Sequence, residues 1–140
     1  MKQALLLLVV LVLTIPLAMA ERQEAIARFV VGSYLLIGKS VDSTEPYQGT
    51  IEIHADGNQL AVKRVINGET VLGSGAIEHA LGGDTDVLRI RFTQYGKVFE
   101  ETCLVSGDLD NYARISCYLY QPGVKTMNPG LEAFFHDKNP

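Results

Sequence analysis

The sequence predicts an all-β domain: an antiparallel up-and-down barrel of about seven to eight strands with a short helix near each end. Three observations predict it. Apolar and polar residues alternate with a period of two through seven segments after residue 31. Short connections rich in Gly, Asn and Asp join most of those segments, the composition of tight hairpin turns. Finally, the chain's two cysteines, Cys103 and Cys117, bracket one such connection. A two-sheet β-sandwich is the alternative that also hides one face and manages the edges.

The first twenty residues, MKQALLLLVVLVLTIPLAMA, carry one positive charge at Lys2, an apolar run from Ala4 to Leu13, and small residues at Ala18 and Ala20. That is the layout of a secretory signal peptide over residues 1–20. The apolar run is shorter than the about 20 residues that span a bilayer, and Pro16 follows it, so no stable membrane anchor is expected after cleavage. The remaining domain, residues 21–140, is expected in the periplasm or outside the cell. Without Lys2 it holds 11 basic and 16 acidic residues, a net charge of −5 with the histidines neutral. Such a charge opposes phosphate backbones and anionic membranes, so nucleic acid is not an expected partner.

Between Glu21 and Val31, Ile26, Phe29 and Val30 recur at helical spacing, which predicts a short amphipathic helix. The period then changes to two. Strands are expected over 32–39, 47–54, 59–66, 69–80, 86–94, 97–105 and 112–120. Asn67-Gly68 is the clearest hairpin signal. Parallel crossovers would need a dozen or more connecting residues, so short turns imply an antiparallel meander. After Gln121 the tail begins as loop, and Asn128-Pro129 predicts a short C-terminal helix with Leu131, Phe134 and Phe135 on one face.

In an oxidising compartment Cys103 and Cys117 are expected to form a disulfide. In strand 112–120, Ala113, Ile115, Cys117 and Leu119 form an apolar row, while Arg114, Ser116, Tyr118 and Tyr120 face the other way. Strand 97–105 is ambiguous by alternation alone. A disulfide needs both Cβ atoms on one side, which puts Cys103, and with it Glu101, in the inward row. The register then sets 103 opposite 117 and 101 opposite 119. In strand 59–66, Leu60, Val62 and Ile66 carry Arg64 inward by the same alternation. An unpaired buried charge is very costly. Arg64 and Glu101 are therefore expected either to pair with each other or to line the polar part of an internal pocket.

The histidines His54, His79 and His136 fall on different elements, with no spacing that suggests zinc or a catalytic triad. Neither a P-loop nor a G-x-S-x-G nor a Rossmann signature occurs. No catalytic residue, metal or cofactor is therefore assigned. Arg114, Tyr118 and Tyr120 make an outward aromatic and basic stripe of the composition found at protein interfaces.

Gly32-Ser33-Tyr34, opening the first strand after a short helix, resembles the G-x-W start of the lipocalin and avidin-like calycin barrels, with Tyr in place of Trp. The wider pattern of Gly32, Tyr34, Gly38, Tyr47, Gly49, Ile53, Gly73 and Gly75 is similar to small exported bacterial calycin-like proteins of uncharacterised type, some labelled fibronectin-binding. The resemblance covers residues 32–77 and implies a calycin-like barrel with a binding role. The expected function is that of an exported barrel that binds a small, mainly apolar ligand inside, with Arg64 and Glu101 as polar contacts. The alternative is a protein-binding module, adhesin-like or an inhibitor of an extracellular enzyme, using Arg114, Tyr118 and Tyr120.

Overall fold

A computed structural model describes residues 17–107 and 109–138. Most of the expected signal peptide, residues 1–16, lies outside the described residues. A helix, α1, covers residues 17–30. Eight antiparallel strands follow: β1 (Gly32–Lys39), β2 (Pro46–Asp56), β3 (Gln59–Ile66), β4 (Glu69–Ala80), β5 (Thr85–Gln94), β6 (Lys97–Gly107), β7 (Ala113–Tyr120) and β8 (Gly130–His136). Each strand pairs with the next, and β8 returns to pair with β1, so the sheet closes into an up-and-down barrel.

The turns follow the residues that supply them. Asn67 and Gly68 both have positive φ (53° and 79°), and this twist matches that of the flanking strands β3 and β4. Barrel closure also needs close approach between strands. A Cβ on Gly38 would lie 2.6 Å from the Leu131 carbonyl oxygen and 2.8 Å from Glu132 Cγ, so only glycine lets β1 pass over β8 there. One on Gly73 would sit 2.6 Å from the Arg91 carbonyl oxygen. Glycine there lets β4 and β5 approach closely.

An eight-stranded barrel is just wide enough for its own side chains to fill. Tyr34, Leu36, Ile51, Ile53, Leu88, Ile90, Ile115 and Phe134 do so here, all at 2 % exposure or less. The apolar side of α1 covers one end: Val30 is buried, and Ile26 and Phe29 pack against the core. The Tyr34 hydroxyl donates 2.7 Å to the Val30 carbonyl oxygen, and Arg22 pairs with Asp86 at 3.0 Å. These contacts hold the expected amphipathic helix against the strand ends. Among the described residues, no helix is long and apolar enough to cross a membrane.

The tail departs from expectation. The short C-terminal helix expected from Asn128-Pro129 is absent, and Gly130–His136 is the eighth strand. The physical reason lies in the sheet. Seven strands would leave β1 and β7 as open edges with unpaired N–H and C=O groups, and a strand inserted between them satisfies both edges. β8 pairs with β1 from Tyr34↔His136 to Lys39↔Leu131, and with β7 from Arg114↔Phe135 to Leu119↔Gly130. Those ladders outweigh the weak helical face of three apolar residues.

Candidate functional site

Cys103 and Cys117 are directly opposite in the β6–β7 ladder and joined by a disulfide, which places Glu101 opposite Leu119 as expected. Such a bond is compatible with an exported protein. Glu101 is fully buried, and Arg64 on β3 is 2 % exposed. The two meet: Arg64 Nη1 donates to Glu101 Oε1 at 2.5 Å. Sequence reasoning missed the third member. Glu132 on β8, 3 % exposed, accepts from Arg64 Nη1 and Nη2, each at 2.7 Å, a bidentate pair. Tyr47 on β2 donates its hydroxyl to Glu132 Oε1, and the Arg64 guanidinium lies 4.2 Å above the centre of the Phe92 ring. Glu132 was hidden because the tail reads as a helix. The signal that reveals it is the pair of open edges on β1 and β7, which calls for a period-two reading of residues 130–136.

Two carboxylates and one guanidinium would leave a net negative charge in an apolar interior, which is very costly. One proton resolves it. Burial, then the neighbouring Glu132 charge, pushes Glu101 well above the usual carboxylate range. Burial acts on Glu132 the same way, but the bonds from Arg64 and from Glu101 outweigh it and hold Glu132 low. The cluster is therefore a neutral acid, a carboxylate and a guanidinium, with zero net charge. Burial and the Glu132 carboxylate also push the Tyr47 phenol up, keeping it a donor.

The outer wall has two different halves. Across β4, β5 and β6, Glu78, Arg89, Arg91 and Glu100 form a ladder of ion pairs, including Arg91 Nε–Glu100 Oε2 at 2.7 Å and Arg91 Nη1–Glu78 Oε1 at 2.6 Å. The hydrogen bonds from Arg91 hold Glu78 below the usual carboxylate range. Tyr120 belongs to this ladder: its hydroxyl donates to Glu100, and Arg89 and Thr102 lie 3.0 Å from it. Across β6, β7, β8 and β1, large apolar side chains stand among the outward ones instead. There Leu104, Tyr118, Leu131 and Ile37 are all substantially exposed.

A groove of about 800 Å³ runs over that second half. Its floor is short side chains in cross-strand register: Ser116 lies opposite Leu104 and opposite Ala133, and Ala133 lies opposite Ile37. Taller side chains wall it, with Tyr118 and Leu131 among them. Of the expected interface residues, Tyr118 lines the groove and is 59 % exposed, Arg114 stacks over the Phe135 ring at 5.7 Å, and Tyr120 is engaged in the ion-pair ladder. The three do not act as one stripe. Three further concavities lie against α1, on the outside of β1–β3, and beside the β6–β7 hairpin. Neither Arg64 nor Glu101 lines any of these four.

No family model matches the chain, and neither a curated protein nor a solved structure matches it.

Proposed function

We propose that the protein is an exported binding protein, periplasmic or secreted, that holds a small, mainly apolar molecule in the groove on its outer wall. One observation carries this reading: the guanidinium and carboxyl groups inside the barrel pair with one another, Arg64 Nε and Glu101 Oε2 being the atoms of that cluster left without a partner among the described residues, whereas the apolar side chains of the groove face solvent. Arg64 is committed to Glu101 and Glu132, and neither Arg64 nor Glu101 lines the groove. The groove has the size and the lining of small-molecule sites, which are concave, mostly apolar and furnished with few polar groups. The signal-peptide pattern of residues 1–20, the disulfide and the calycin resemblance of residues 32–77 support export and a binding role.

Native mass spectrometry of the protein purified from its host tests the reading. An apolar adduct is expected on the unaltered chain and is expected to vanish from the Ala133→Phe variant, which fills the groove floor from the solvent side. Bare protein, or an adduct that survives the substitution, would overturn it.

A second reading is favoured by the exposure of Leu35, Ile37, Leu104, Tyr118 and Phe135 on neighbouring strands. An apolar surface of that kind fits a protein partner as well. Unchanged partner capture by Tyr118→Ala would remove this face from that alternative.

A further inference from the structure

We propose that the groove takes its occupant as a long-chain carboxylate, with the negative head at Lys39 and the tail laid across β8, β7 and β6. The inference rests on the groove reading above and names the ligand class.

The charge along the groove is lopsided. Two charged residues line it, Lys39 and Glu132. Glu132 turns its carboxylate into the barrel and spends it on Arg64 and Tyr47. Lys39 is therefore the one charged side chain available to an occupant of the groove. It stands at the end of β1, opposite Pro46 and Leu131, on the outward row. Among the described residues Lys39 makes no ion pair, and the acid nearest in sequence is already committed. Asp42 Oδ1 accepts from the Met127 and Asn128 backbone N–H groups at 2.8 and 2.7 Å. Thr44, from the same loop, adds a hydroxyl to the lining beside Lys39.

At the far end the lining is uncharged: Leu104 and Val87 lead to Ala80 and Leu81. One cation at one end, with an uncharged and mainly apolar lining beyond that includes the Ser116, Tyr118, Thr102 and Thr85 hydroxyls, matches a molecule that has one negative head and one apolar tail. A multiply charged head would find no second cation in the lining. The length fits as well. From β1 through β8, β7 and β6 to β5 there are four inter-strand steps of about 4.8 Å, or about 19 Å of track. Each methylene laid on it adds favourable burial, while the short floor residues Ser116 and Ala133 let a chain lie close to the sheet.

Titration of the exported protein with palmitate and with the alcohol of the same chain length tests this. The unaltered protein is expected to bind the acid about fivefold more tightly than the alcohol, the scale of one partly exposed ion pair. Lys39→Gln is expected to make the two equal by weakening the acid alone, and Lys39→Arg to restore the difference. Equal binding of acid and alcohol by the unaltered protein, or a preference that survives Lys39→Gln, overturns the head assignment and leaves the groove reading standing. Failure of both probes to bind, or binding unchanged by Ala133→Phe, overturns the groove reading and the inference with it. Lys39 projects from the outer wall, so circular dichroism of its variants is expected to match that of the unaltered barrel.

Discussion

Two regions of this barrel carry side chains that look misplaced. Inside, three ionisable residues sit where apolar ones belong; outside, a band of aliphatic and aromatic residues sits where polar ones belong. The difference lies in how each is satisfied. Arg64, Glu101, Glu132 and Tyr47 exchange hydrogen bonds among themselves and reach zero net charge, with Arg64 Nε and Glu101 Oε2 the atoms of the cluster left without a partner among the described residues. The exposed apolar side chains of the groove, Leu104, Leu131 and Ile37, are left uncovered by the described residues. An oddity that is internally satisfied belongs to the fold, and one that is left open belongs to recognition.

Removing Arg64 gives the largest effect that this contrast predicts. Arg64→Leu leaves Glu132 as an uncompensated buried charge and is expected to cost about 3–5 kcal/mol, read from the urea midpoint. Replacing Arg64, Glu101 and Glu132 together by apolar residues is expected to cost far less, since no charge is then stranded and only the Tyr47 hydroxyl loses its acceptor. A single substitution as mild as the triple one would break the comparison. Next comes the cross-link that sets the register of Glu101. Cys103→Ala with Cys117→Ala opens a link across a sequence separation of 14, with an expected loss of about 3 kcal/mol in the same measurement.

A pH series sharpens the inner half. Glu101 holds its proton in the folded state well above the usual range because of burial and Glu132. Below the unfolded value both states are protonated and the contribution is whole. As pH rises toward the folded value, the unfolded chain alone releases the proton, so stability falls. Glu132 acts with the opposite sign, its contribution being lost as pH falls through its lowered value. Glu101→Gln is therefore expected to flatten the alkaline side of the urea-midpoint profile and leave the acid side in place; an unchanged alkaline slope would contradict the proton assignment. The smallest stability effect is expected outside. Tyr118→Ala is expected to shift stability by about 0.5 kcal/mol or less while weakening ligand capture severalfold, as measured by denaturation and titration on the same sample.

Much of the inner half was legible in the sequence because a disulfide and a two-residue period leave little freedom. Cys103 and Cys117 fix one register, and alternation then turns Glu101 and Arg64 inward. Glu132 was not legible from its own neighbourhood. Leu131, Phe134 and Phe135 read as one helix face, and the strand identity of this segment comes from the edges of β1 and β7, far away in sequence. The groove was hidden for a related reason. Tyr118 was visible as an outward aromatic, but its neighbours Ala133 and Ile37 become neighbours only through the β8 seam. Tyr120 shares the outward row of Tyr118, yet the cross-strand partners Glu100 and Arg89 absorb it. Strand alternation gives the face of a residue; the company it keeps depends on closure.

The seam strand has one more consequence. Glu132 lies 68 residues beyond Arg64 and 85 beyond Tyr47, so the interior charge has no complete counterpart until the final strand arrives. An emerging polypeptide holding only β1–β7 would carry both an open sheet and an ill-matched cation. Consolidation is thereby deferred to the last steps of chain delivery, because closure is a non-local and therefore slow contact.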